Sequence, residues 1–142
     1  MDTASRWDEL VALDEELMKS GYILSEWVTH LTREADVAYA NGANLAAILT
    51  AMAVIETYLR SEYPAGERPT LARLITGSPL CEDLKTELHA LREYRNSWVH
   101  VDEPWENEPE LDVPGGVEDE CAAMAKRSVR ALREVLYENP WI

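Results

Sequence analysis

The sequence has few cysteines and no long apolar run. Its two cysteines, Cys81 and Cys121, are isolated and far apart, which fits a reducing compartment better than a disulfide framework. We expect both to be small buried side chains. No apolar run approaches the ~18 residues needed to span a bilayer, and the acidic N-terminus does not resemble a signal peptide. The sequence therefore predicts a cytoplasmic protein without membrane association.

Several patterns that carry chemistry in other proteins are also missing. The chain has no glycine-rich phosphate loop, and His30, His89 and His100 are not spaced with carboxylates or thiols as metal ligands. Ser97 lies near His100 without a nucleophile elbow or an orienting acid, so nucleophilic hydrolysis is not expected. We expect His30 and His89 to be surface or half-buried helix residues, and we expect neither a metal nor another cofactor.

Basic residues are scarce as well. Lys and Arg number 13 against 27 Asp and Glu, which gives a net charge of −14. Because phosphate binding normally shows as a basic footprint, this charge argues against non-specific binding of RNA or DNA. The acids are concentrated at residues 8–16 and 102–120, so a local basic site around Arg92 and Arg95 is compatible with the charge. An acidic protein also suits a basic partner.

The apolar residues that are present follow helical spacing. No segment alternates apolar and polar residues for long enough to indicate a sheet, so the sequence predicts an all-α fold. We predict a single domain over residues 1–142, a bundle of four main helices plus a short one. An acidic, proline- and glycine-rich loop at about 102–116 is long for a compact bundle, which makes it a candidate functional or mobile loop. Its Trp105 either folds over the site or anchors the loop to the core.

The first helix is predicted from an apolar stripe that begins near Trp7. The stripe keeps its register on both sides of Gly21, at Leu10, Leu13, Leu17, Leu24, Trp27 and Leu31. Gly21 either ends the helix or kinks it, and the unbroken register favours one long helix that ends near Tyr39. Asn44 is predicted as the N-cap of the second helix, which covers residues 45–63.

The second helix places one carboxylate on its apolar face. The other residues of that face are Leu45, Leu49, Met52 and Leu59. A buried charge is costly unless it is matched, so we predict that Glu56 approaches Arg95 or Arg92 of a later helix. The alternative is an ion pair with Arg60, four residues further along the same helix.

The remaining helices are predicted from their ends. Thr70 is expected to cap a short helix over residues 70–76, and Ser78 with Pro79 is expected to open the central helix. The last helix covers residues 117–137 and carries an outward, solvated basic patch. That patch consists of Lys126, Arg127, Arg130 and Arg133.

The central helix leads into the segment Arg92-Glu93-Tyr94-Arg95-Asn96-Ser97-Trp98-Val99-His100. Its stripe of leucines at 84, 88 and 91 continues onto Arg95 and Trp98. An arginine in line with such a stripe is expected to point at the bundle interior or at a second subunit, where it needs a partner or an anionic ligand. Arg95 and His100 diverge by roughly 140° on a helix. They meet only if the helix unwinds before His100 or if a second copy of the motif completes the site.

At these residues the chain resembles the HEPN family, the higher eukaryote and prokaryote nucleotide-binding domains. The mark of that family is an Arg followed after four to six residues by a His, often with a polar residue directly after the Arg. The segment from Arg95 to His100 fits the four-residue form, with Asn96 in the polar position. The similarity covers about residues 10–138. The simpler interpretation is that both cations only cap a helix end.

The resemblance implies a specific chemistry. HEPN ribonucleases are similar all-α domains that dimerise so that two motifs form one cleft, and they cleave RNA without metal. On this basis His100 acts as general base or acid on the ribose 2′-hydroxyl, and Arg95 stabilises charge on the phosphate. Asn96 orients the imidazole or the phosphate. Arg92 adds a phosphate contact and Trp98 a substrate contact.

The resemblance also implies partners. Many HEPN proteins act in toxin–antitoxin or phage-defence systems, often beside a nucleotidyltransferase-like protein that blocks the site. We therefore expect a homodimer, an RNA substrate, and an antitoxin or nucleotidyltransferase-like partner. The alternative is a non-catalytic interaction or dimerisation module that binds a protein partner or a nucleotide. An Arg95 buried against Glu56 would favour the module, and an open cleft would favour the enzyme.

Overall fold

Six α-helices follow one another along the described chain. The computed structural model describes residues 2–64, 66–106 and 114–138. In order, the helices are α1 (Thr3–Leu17), α2 (Glu26–Ala40), α3 (Asn44–Glu62), α4 (Leu71–Gly77), α5 (Glu82–Val99) and α6 (Val117–Leu136). Within these ranges no strand forms, and none of the helices has the length and apolarity of a membrane span. The all-α prediction is confirmed.

The predicted long first helix is wrong, because the chain breaks between α1 and α2. Met18 follows α1 with an extended backbone, and Ser25 accepts a hydrogen bond from the N–H of Val28 at 3.2 Å and so caps a new helix. The fold therefore has five main helices plus the short α4, where four were predicted. Trp27, which was assigned to the continuous stripe, is 72% exposed because the new helix starts in a different register.

Two other predicted helix ends differ in detail. Asn44 is the first residue of α3 and does not cap it; its side chain instead accepts a hydrogen bond from Arg6 at 2.6 Å. Ser78 ends α4 and donates to the carbonyl of Ile75, so α5 begins only after Cys81. Cys81 is consequently exposed, which contradicts its predicted burial. The predicted cap at Thr70 is confirmed by its hydrogen bond from the N–H of Arg73 at 3.3 Å.

The core is built around α3, which packs against α2 and α6 and also contacts α4 and α5. The fully buried residues of α3 are Ala47, Ile48, Ala51, Met52, Val54, Ile55 and Leu59. Each buried large aliphatic side chain stabilises the fold by about 1.5–3 kcal/mol. The predicted leucine stripe of α5 is confirmed, since Leu84, Leu88 and Leu91 are all buried in this core.

A buried arginine joins three helices. Arg133 of α6 is only 2% exposed, and its guanidinium binds Asp14 of α1 at 2.9 Å and Asp36 of α2 at 2.8 Å. Tyr137 donates a further hydrogen bond to Asp14 at 2.7 Å. The prediction that Arg133 belongs to an outward patch is therefore wrong. The other patch members, Lys126, Arg127 and Arg130, are exposed as predicted.

Loss of Arg133 should destabilise the fold strongly. Arg133→Met keeps much of the side-chain volume but leaves two carboxylates without their cation, which typically costs about 3–5 kcal/mol. Arg130→Met is the matched control, because Arg130 pairs with Glu16 and Glu134 while remaining 45% exposed. The control should cost about 1 kcal/mol or less. Urea unfolding measures both values, and equal losses would contradict a special role for the buried cluster.

The same cluster should give stability a measurable pH dependence. Burial raises the pKa of Asp36 above its ordinary 3.8, although the hydrogen bond and charge of Arg133 oppose the shift. The stability that Asp36 contributes is then complete below its ordinary pKa and is lost as the pH rises through the folded-state pKa. The free energy of unfolding, measured relative to Asp36→Asn, should therefore fall as the pH rises above 3.8. A relative stability that rises with pH would show that Arg133 outweighs burial.

Candidate functional site

The residues of the motif lie at the C-terminal end of α5, where the buried leucine stripe ends. Beyond Leu91, the stripe positions are taken by Arg95 and Trp98, which are both half-buried. The helix ends at Val99, and the N–H of His100 still donates to the carbonyl of Asn96 at 2.9 Å. The motif therefore combines a half-buried guanidinium with an imidazole just past a helix end.

Arg95 is held by its neighbour rather than by a carboxylate. Its Nε and Nη2 both donate to Oδ1 of Asn96, at 3.0 and 2.9 Å. No ion pair to Arg95 forms within the described ranges. Because a guanidinium has five N–H donors, the outer edge of Arg95 keeps three donors for another acceptor. Asn96 thus fixes the orientation of the arginine, a positioning role that differs from the predicted contact with imidazole or phosphate.

Arg92 lies one helical turn before Arg95 and is also incompletely bonded. Its side chain is 21% exposed, and its closest acidic group is the carboxylate of Glu93, at 3.8 Å. The Nε of Arg92 is buried and has no hydrogen-bond partner among the described residues. An unsatisfied buried donor costs about 1–3 kcal/mol. At the end of α5, both Arg92 and Arg95 therefore have N–H donors without hydrogen bonds to the described residues.

Glu56 does not contribute to this site. Its carboxylate pairs with Arg60 at 3.1 Å, and Arg60 also donates to the carbonyl of Pro69. The predicted approach of Glu56 to Arg92 or Arg95 is therefore wrong, and the alternative pair within α3 is the one that forms. The physical reason is proximity along the helix, since residues four apart already lie side by side.

His100 is exposed and does not meet Arg95 within one chain. The helix unwinds only at His100 itself, with φ −129° and ψ 59°, and no hydrogen bond or ion pair joins the two side chains in the described part of the chain. Val99 and Val101 on either side of His100 are both exposed, the latter at 41%. Unwinding of the helix before His100 was one of two expected ways of bringing Arg95 and His100 together. The unwinding seen at the end of α5 is not sufficient to do so.

Trp98 separates two cavities at the start of α6. One has a volume of about 300 Å³ and the other of about 390 Å³. Both are lined by Trp98 and Val117. The first is completed by Tyr94, Ser97, Val101, Pro104 and Glu120, and the second by Gly42, Asn44, Leu45, Glu118 and Cys121. The indole is thus placed to contact a ligand in either cavity.

Tyr94 was missed as a site residue, although its position four residues before Trp98 places the two on one helix face. Its hydroxyl lies 3.1 Å from Sγ of Cys121, which is buried as predicted. Burial, and then this hydrogen bond, raise the pKa of Tyr94 to about 12, and the nearby Glu120 carboxylate acts in the same direction. Tyr94 therefore stays protonated at neutral pH and serves as a neutral wall.

Trp105 lies in the described start of the loop after the motif, and it neither covers the site nor anchors the loop to the core. Trp105 is 72% exposed, so both predicted roles for it fail in a single chain. Residues 107–113 of the predicted acidic loop lie outside the described residues. His30 faces Glu34 at 3.8 Å and His89 faces Thr76 at 3.2 Å, as expected for surface or half-buried positions. Among described residues, no three potential ligands cluster as a metal site.

No protein-family model, curated protein or solved structure matches this chain. The geometry at the end of α5 is therefore the main guide to the function of this protein.

Proposed function

We propose that the protein is a metal-independent endoribonuclease of the HEPN type that acts as a homodimer in a toxin–antitoxin or defence context. The observation that carries the proposal is the state of Arg95. In a chain with a net charge of −14, this half-buried guanidinium has no carboxylate partner within the described residues and is oriented by Asn96 with three donors unused. Such an edge fits the non-bridging oxygens of a phosphate.

The residue types at this site suit cleavage of RNA by transesterification. His100 takes the proton of the ribose 2′-hydroxyl, whose oxygen attacks the adjacent phosphorus. The bond to the 5′-oxygen of the next nucleotide breaks, that oxygen takes a proton from water, and a 2′,3′-cyclic phosphate remains. Arg95 stabilises the charge that develops on the phosphate, and Arg92 adds a further donor. Asn96 maintains the orientation of Arg95.

A second copy of the chain would complete this site. The side chains of Arg95 and His100 do not contact each other in the described part of one chain, so a phosphate bound to one arginine needs an imidazole from elsewhere. The surface around His100 carries exposed apolar side chains at Val99, Val101 and Trp105, which are costly to leave in water and typical of a contact surface. These features support an arrangement in which Arg95 of one subunit works with His100 of the other.

Cleavage of RNA in EDTA tests the proposed activity. The purified protein should cut single-stranded RNA or tRNA and leave 2′,3′-cyclic phosphate ends. His100→Ala should slow cleavage about 10²–10⁴-fold, because a general acid–base group is removed. Arg95→Ala should slow it by about 10–100-fold or more, because a charge-assisted hydrogen bond is lost. Gel analysis with end-group mapping measures these rates.

Matched controls separate chemistry from folding. His30→Ala and Arg33→Ala change exposed residues of α2 and should leave the rate unchanged. Unfolding midpoints should be equal in all variants. No cleavage by a folded wild-type dimer, or equal rates in wild type and His100→Ala, would refute the ribonuclease. The alternative would then be a non-catalytic module that binds a protein partner or a nucleotide, and the charge of −14 favours a basic protein.

Mixing two inactive variants tests the shared site. A heterodimer of Arg95→Ala and His100→Ala contains one complete site, formed by the intact Arg95 of one subunit and the intact His100 of the other. After subunit exchange, the mixture should recover roughly a quarter of the wild-type rate, since half of the dimers carry one of two sites in a symmetric assembly. Light scattering checks that the dimer forms. A mixture that stays inactive would show that each site belongs to a single chain.

A further inference from the structure

The cavity of about 300 Å³ is lined in part by the helix that carries the motif. Four of its lining residues, Tyr94, Ser97, Trp98 and Val101, come from the motif helix and its exit, on one face that also leads to His100. Pro104 and the first turn of α6 complete the walls. Tyr94 directly precedes Arg95 in the chain, so a nucleotide whose phosphate lies at Arg95 would place its base close to this cavity.

The walls of the cavity are aromatic and apolar, and they offer one unused polar group. The hydroxyl of Tyr94 is bonded to Cys121, and the hydroxyl of Ser97 donates to the carbonyl of Tyr94 at 2.6 Å. Glu120 is exposed and borders the cavity, and its carboxylate has no hydrogen bond or ion pair in the described portions of the chain. An ionised carboxylate only accepts hydrogen bonds. The cavity thus favours a flat, uncharged ligand that presents donors to Glu120.

We propose that this cavity binds a guanine base, with Glu120 accepting hydrogen bonds from its N1–H and N2 amino group. Guanine has two adjacent donors on this edge, which match the two oxygens of a carboxylate. Adenine and cytosine present one amino group next to an unprotonated ring nitrogen, and uracil presents one N–H between two carbonyl oxygens. These acceptors face the carboxylate unfavourably. Contact with Trp98 adds affinity without selecting the base.

The guanine pocket gives the proposed ribonuclease its sequence preference, and in this respect it rests on the proposed function. RNA would be cut next to guanosine, because the pocket and the phosphate site share the end of α5. Binding of guanine itself does not require cleavage. A free guanine nucleotide would use the same contacts, so the two sources are separated by comparing mononucleotide binding with the position of cuts in RNA.

Binding of 3′-GMP, 3′-AMP, 3′-CMP and 3′-UMP, followed by calorimetry or tryptophan fluorescence, is the first measurement. 3′-GMP should bind about tenfold tighter or more than the other three, as expected when a charged group accepts two hydrogen bonds. Inosine monophosphate, which lacks the N2 amino group, should fall between. Glu120→Gln should remove most of the preference. Glu118→Gln, on the same turn but in the other cavity, should retain it.

The second measurement maps cuts in an RNA that contains a single guanosine. Cuts beside guanosine that become indiscriminate in Glu120→Gln place the pocket in RNA recognition. Selective binding of 3′-GMP without cuts keeps the pocket and refutes the ribonuclease. Cleavage without base preference keeps the ribonuclease and refutes the pocket. Equal affinities for 3′-GMP and 3′-AMP, or equal effects of Glu120→Gln and Glu118→Gln, also refute it. Equal unfolding midpoints verify that both variants fold.

Discussion

The buried guanidinium of Arg133 is the interaction on which the arrangement of the bundle depends. It connects α6 to both α1 and α2 through the carboxylates of Asp14, which is 38% exposed, and Asp36, which is 15% exposed. Charges in such a place are tolerated only in one geometry, so the cluster specifies how these three helices align as well as stabilising them. The end of α5 takes no part in this network. It is held by leucines, and its polar groups remain available for other purposes.

Two arginines of this chain lie next to apolar residues of their helices, and they differ in whether a carboxylate binds them. The guanidinium of Arg133 is paired within the fold, because it binds Asp14 and Asp36, which are 119 and 97 residues away in sequence. Arg95 meets no carboxylate in the described chain and is only turned by the adjacent Asn96. Local periodicity identifies Arg95 as unusual but assigns Arg133 to an outward, solvated patch. The difference lies in long-range partners, which no spacing rule within one helix contains.

The same distinction explains which parts of the fold and site were predictable. Periodicity within a single segment predicts helices α3, α5 and α6 and the leucine stripe. It also predicts that one helix end carries Arg95, Asn96, Trp98 and His100. The break before α2 was missed because Ser25 caps a helix in a stretch whose apolar register looks continuous. Glu56 was misassigned because a local partner was available. The cavity beside Trp98 forms only where α5 and α6 come together. Nothing in the sequence around Glu120 therefore indicates that this residue lines a cavity.

The Nε of Arg92 has no hydrogen-bond partner among the described residues, which has a consequence for how this protein responds to selection in the laboratory. A buried donor without an acceptor weakens the folded state of the single chain, so an apolar side chain of similar length at this position would favour folding. If the donor is satisfied only by a bound phosphate, the same replacement would weaken the complex. Position 92 is therefore where a library selected for heat resistance and a library selected for activity should diverge first.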